Sequence, residues 1–148
     1  MAHSVPTVVR GYRDLLVWQR SVDLALEIYE ATERFPRREV YGLAAQMRRA
    51  AVSVPSNIAE GHGRDHLGDY LHHLSIANGS LMEVETQVVI AMRRRYFGSD
   101  LERRLLECSA EVGRMLAGLT RSLKRLHRRA QSVTRHPTPD TRHLTPDT

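Results

Sequence analysis

The segment from Tyr41 to Gln87 constrains the chain most. It reads YGLAAQMRRAAVSVPSNIAEG, then a short stretch rich in Gly, His and Asp, then DYLHHLSIANGSLMEVETQ. Apolar residues recur at spacings of three and four on both sides of the break, the period of an amphipathic helix. A connection this short folds the second helix back along the first. Both helices also carry polar residues where a plain bundle would place leucines.

Four helices follow from the same period. The first spans about Asp14 to Arg34, with one stripe at Leu15, Trp18, Val22, Ala25, Tyr29 and Thr32. A second stripe (Val17, Leu24, Ile28, Ala31, Phe35) lies beside it. The apolar arc is wider than one bundle seam needs, which predicts self-association through the surplus stripe. Phe35-Pro36 stops this helix. The second spans about Arg38 to Gly61, with Pro55 predicting a kink and Gly61 and Gly63 an end. The third spans about Asp65 to Tyr96, striped by Leu67, Leu71, Leu74, Leu81, Val88 and Met92. Ser99 is the expected N-cap of the fourth, whose stripe runs from Leu101 through Leu105, Cys108, Val112, Met115, Leu119 and Leu123 to Leu126. This helix is expected to fray after Arg129.

The expected architecture is all-α, an antiparallel up-down-up-down four-helix bundle. Residues 1–11 form a flexible N-terminus and 12–130 the bundle. Residues 131–148 form a disordered tail containing a tandem repeat, RHPTPDT then RHLTPDT. Pro, Thr and Asp in such density cannot bury a core.

The 148 residues suit one domain with one core, and 41% hydrophobic with 26% charged composition is that of an ordinary globular chain. No apolar run approaches the ~20 residues of a membrane span, and no signal-peptide pattern opens the chain. A cytoplasmic location without membrane contact is expected. One cysteine, Cys108, excludes an intramolecular disulfide. Aromatics at 5% exclude base stacking as a main binding mode.

Net charge is +5, and of 22 basic residues only Lys124 is lysine. Arginine suits bidentate phosphate contacts, though a GC-rich genome also favours its codons. Up-down topology gathers Arg13, Arg64, Arg121, Lys124, Arg125, Arg128 and Arg129 at one end of the bundle. No acidic residue falls between Glu111 and Asp140 to offset the stripe on the fourth helix. The opposite end gathers Arg34, Arg37, Arg38, Arg93, Arg94, Arg95, Arg103 and Arg104. There Glu33, Glu39, Asp100 and Glu102 weaken the field. A solvated charged face and a phosphate-binding face both fit these runs.

The matching elements DLLVWQRSVDLALEIYEATERFP, YGLAAQMRRAAVSVPSNIAEG and GSLMEVETQ carry a resemblance. From Tyr12 to about Leu126 the chain resembles the four-helix-bundle proteins encoded in intervening sequences of bacterial 23S ribosomal RNA genes. That family is similar in turn to the accessory variability determinant of diversity-generating retroelements. The resemblance implies a four-helix bundle, a ring-like homopentamer and no catalytic residues. From the retroelement relatives it implies a reverse transcriptase and RNA as partners. The histidines in the second turn replace a serine-containing stretch usual in the family, and the repeat tail is not a family feature.

The polar residues form the remaining candidate site. Asn57 and Glu60 lie late in the second helix; Asn78, Ser80, Glu83 and Glu85 lie in the third. Folding back near Arg64 sets Arg48 and Arg49 opposite Glu83 and Glu85, and Ala50 and Ala51 opposite Gly79. The arginines and carboxylates then neutralise each other at a seam, or Arg48 and Arg49 face phosphate. Acid–base chemistry lacks an accompanying nucleophile or metal pattern. A di-iron site needs Glu-x-x-His pairs that the chain lacks. His62, His66, Asp69 and His73 have metal-like spacing, but the glycines break the helix between them, so exposed turn histidines are expected rather than a metal site. Cys108 is expected as a small buried hydrophobe.

The expected function is a non-enzymatic, oligomeric nucleic-acid-binding scaffold, for RNA ahead of DNA, or an accessory to a nucleic-acid enzyme such as a reverse transcriptase, without cofactors. Arg121, Lys124, Arg125, Arg128, Arg129, Arg48 and Arg49 are its candidate contacts, and Asn57, Glu60, Asn78, Glu83 and Glu85 its structural polar network. The alternatives are a protein-interaction bundle without nucleic-acid affinity, and a metal-dependent enzyme at the histidine turn.

Overall fold

A computed structural model describes residues 8–135; the repeat from residue 136 onward and residues 1–7 lie outside them. Four helices make up the fold: α1 (Leu16–Glu33), α2 (Leu43–His62), α3 (Leu67–Arg93) and α4 (Ser99–Thr134). No strand occurs among the described residues. Each helix packs on the next and α4 closes back on α1. Ser53 faces Ser80 and Asn57 faces His73, so rising numbers in α2 meet falling numbers in α3. The bundle is thus antiparallel, as the short connections require.

The interior is filled by Leu24, Ile28, Met47, Ile58, Leu74, Leu81, Leu105 and Leu116, all essentially inaccessible. Each such side chain is worth ~1.5–3 kcal/mol of transfer free energy. On α1 the core stripe is Val17, Leu24, Ile28 and Ala31, continued by Phe35 just past the helix end. The other stripe is largely covered within the chain: Ala25 and Thr32 are buried, and Leu15, Trp18 and Val22 half-buried. Trp18 is shielded by Tyr12, from a 3-10 turn before the helix, at 5.3 Å between ring centroids. The surplus apolar surface is therefore smaller than the periodicity suggests. On α1 the exposed large apolar residues are Leu16, Leu26 and Tyr29, and on α2 Val52 is exposed.

Several helix ends differ from expectation: α2 begins at Leu43, five residues after Arg38, which lies in a separate 3-10 turn (Arg37–Glu39). The N-cap of α4 is Gly98, one residue before Ser99. Past the expected fraying point, α4 stays helical to Thr134, four residues beyond the 12–130 bundle boundary. α2 runs unbroken through Pro55 and past Gly61 to its cap at Gly63, which has an ordinary φ of −80°. Gly61 is instead a contact residue. A Cβ there would lie 2.8 Å from Tyr70 Cδ2 and 2.9 Å from His73 Cβ. Gly79, expected at the close approach, has open space around it, and Ser53 and Ser80 meet at 2.9 Å instead.

Candidate nucleic-acid interface

The basic stripe lies where α4 leaves the bundle. An added Cβ at Gly68, in the first turn of α3, would come 3.9 Å from His127. This places the end of α4 beside the α2–α3 turn. From Arg128 to Thr134 every residue is exposed, so about two turns of α4 stand clear of the other helices. The apolar residues that drive helix formation upstream (Leu116, Leu119, Leu123) set the register. The cations fall on the opposite, outer face. Arg121, Lys124, Arg125, Arg128 and Arg129 are all exposed. Arg125 reaches only Ser122 Oγ, at 3.5 Å, and no carboxylate pairs with any of the five among the described residues.

The other two candidate arginines behave differently. Arg48 turns toward α1, not toward the carboxylates of α3. Its Nε donates to Thr32 Oγ1 at 2.8 Å, and its guanidinium lies 4.8 Å from the centre of the Tyr29 ring. Thr32 is held ready for this by donating to the Ile28 carbonyl at 2.8 Å. Arg49 stays exposed on α2, without an ion pair to Glu83 or Glu85.

The polar residues thus form separate contacts rather than one arginine–carboxylate seam. Asn57 Nδ2 donates to the Ser53 carbonyl at 2.9 Å and to Ser53 Oγ at 3.0 Å. That orientation leaves its Oδ1 to accept from His73 Nδ1 at 3.1 Å, which fixes the histidine tautomer. Glu60 lies 3.7 Å from the same His73 nitrogen. Glu85 points to α4 and accepts from Ser109 Oγ at 2.7 Å. Glu83 accepts from Gln87 within α3 at 3.2 Å, and Asn78 is exposed. Ser53, His73 and Ser109 complete these contacts, although the network expected from the sequence does not include them. Ser53 and Asn57 do stand four apart on one helix face, which is the available signal. Among the described residues, no group of three or more His, Cys, Asp and Glu is placed to hold a metal ion.

Cys108 is half-buried rather than buried, because the α1–α4 groove is charged. Arg20 pairs with Glu111 at 3.3 Å across it, and Arg104 lies 3.9 Å from Glu27. The groove measures about 440 Å³ beside Cys108. Burial first, then Glu27, Glu111 and Asp23, push the thiol up to about 11. This disfavours the thiolate, the reactive form of cysteine.

These features define a small antiparallel four-helix bundle with a protruding basic helix. The profile of the 23S rRNA-intervening sequence protein family matches residues 13–118, and the chain belongs to that family. A solved structure from Bacteroides thetaiotaomicron, described as a protein of unknown function from the S23 ribosomal protein family, shares the fold. It superposes with a TM-score of 0.67 at 20% identity, covering 71% of this chain and 98% of that one. A comparison with curated proteins gives no match. No helix among the described residues is long and apolar enough to cross a membrane.

Proposed function

We propose that the protein is a non-enzymatic, oligomeric scaffold that binds nucleic acid, with RNA as its partner, in the cytoplasm. One observation carries this reading: the stripe of Arg121, Lys124, Arg125, Arg128 and Arg129 is exposed on a helix end that no acidic residue offsets. A helix clear of the body can approach a phosphate backbone from several directions, and each arginine can engage two phosphate oxygens at once. Family membership supports an association with ribosomal RNA genes. A role as accessory to a reverse transcriptase, and assembly as a pentamer, rest on the resemblance to the retroelement proteins alone. In a ring the stripes would repeat and weak contacts would add.

The exposed apolar residues Leu26, Tyr29 and Val52 favour a second reading, a protein-interaction bundle without nucleic-acid affinity. The variant R121Q/K124Q/R125Q/R128Q separates the two. Scaffold binding predicts weaker RNA affinity across sequences and a log–log salt slope reduced by ~0.7–0.9 for each phosphate no longer neutralised. Unchanged affinity in a folded variant favours the second reading.

A further inference from the structure

The end of the bundle opposite the protruding helix is also basic, and its backbone carries an anomaly. The α1–α2 and α3–α4 connections are pinned together there. Tyr96 donates to Glu39 Oε1 at 2.9 Å, and Phe35 lies 5.0 Å from the Tyr96 ring. The same Tyr96 ring carries Arg38 at 6.0 Å and Arg94 at 5.7 Å from its centre, so the turn that holds Arg37 and Arg38 lies against the end of α3 that holds Arg93, Arg94 and Arg95. Of the acidic residues at this end, Asp100 is paired with Arg103 at 2.6 Å, while Glu39 keeps its charge and accepts from Tyr96 and the Leu43 N–H. Arg37, Arg93 and Arg95 are exposed and make no side-chain hydrogen bond or ion pair among the described residues.

Arg95 has a φ of 62°, and no other non-glycine described residue has a positive φ. It closes α3: its N–H donates to the Met92 carbonyl at 2.9 Å, and the Tyr96 N–H donates to the Ala91 carbonyl at 3.0 Å. Helices that end this way normally place glycine at that position, because a Cβ is strained there. A strained residue points to a use for its side chain. Arginines near a helix C-terminus also complement the helix dipole, but Arg93 and Arg94 already serve that role without strain.

We infer that Arg37, Arg93 and Arg95 form a second phosphate-contacting surface, so that one bundle engages two separate segments of RNA. The α3 helix between the two basic ends spans 27 residues, ~40 Å of rise. This inference rests on the RNA-binding reading above but uses none of its residues.

The test measures melting temperature and the salt dependence of RNA affinity, by fluorescence anisotropy with a labelled single-stranded RNA, on the full chain. Arg95→Gly should raise the melting temperature by ~3–5 °C through relief of strain, while weakening RNA binding. R37Q/R93Q/R95N keeps a residue that tolerates the left-handed backbone, and should lower the salt slope by ~2–3. A drop in melting temperature for Arg95→Gly would mean that Arg95 serves the helix end, and would overturn the inference. RNA binding like wild type in the triple variant would overturn it too, while weaker binding by R121Q/K124Q/R125Q/R128Q would leave the α4 reading standing. Weaker binding by the triple variant alone would remove the α4 stripe and overturn the engagement of two segments. Absence of wild-type binding at low salt would overturn both.

Discussion

Glu39 and Tyr96 join the two turns at one end of the bundle, 57 residues apart in the chain and 2.9 Å apart in space. The other Glu39 oxygen accepts the Leu43 N–H at 2.9 Å, at the start of a helix whose N-cap, Gly42, has no side chain to offer. The Leu43 N–H first, then the Tyr96 hydroxyl, hold this carboxyl below its ordinary range against the cost of desolvation, with Arg38 and Arg94 adding. A depressed carboxylate contributes stability above its unfolded pKa of ~4.3 and loses it as pH falls through the folded value. Thermal melts between pH 6 and pH 3 should therefore fall more steeply for wild type than for Glu39→Gln. Parallel curves would show that the contact does not couple to folding.

Gly61 and Gly79 give a matched pair of tests. Gly61→Ala forces a Cβ into Tyr70 and His73, and should cost ~1–3 kcal/mol by overpacking. Gly79→Ala adds its methyl in open space within α3, and should gain ~0.5–1 kcal/mol of helix stability. Urea unfolding reads both. Equal effects at the two positions would contradict the α2–α3 packing described.

Cys108 should resist alkylation. With its thiol pushed up to about 11, its thiolate fraction at pH 8 is ~100-fold below that of an ordinary cysteine. Iodoacetamide should label the native chain slowly and the urea-unfolded chain at the rate of a free thiol. Equal rates would mean that the groove does not shield it.

The helices were legible in the sequence because their apolar residues keep one period over many turns. Leu105, Val112 and Leu123 on α4 and Leu74, Leu81 and Val88 on α3 settle which face turns inward, whereas the buried Leu116 lies outside the stripe read from the sequence. The partners of polar side chains were less legible. Arg48 could reach either neighbour of α2, and only the relative rotation of α1, with Thr32 and Tyr29 turned toward it, decides the outcome. Gly61 reads as a helix stop, because sequence alone does not show that Tyr70 and His73 pack against its Cα. The basic stripe of α4 needed no partner to be recognised: its spacing alone puts it on one outward face.

Self-association should depend on the α1–α2 surface. Leu26 is 63% and Val52 41% exposed, so L26E/V52E should change monomer stability by ~0.5 kcal/mol or less. Light scattering should give a multiple of the chain mass for wild type and a lower mass for the variant. A wild-type monomer at micromolar concentration would remove the oligomer from the proposal.

The most direct test of RNA binding is the salt dependence of wild-type affinity for a single-stranded RNA between 50 and 200 mM salt. Four phosphate contacts from Arg121, Lys124, Arg125 and Arg128 contribute about −3 to the log–log slope per subunit engaged, to which any contacts from the opposite end add, with little change between RNA sequences. A slope near zero, or no retention of RNA at the lowest salt, would contradict the account.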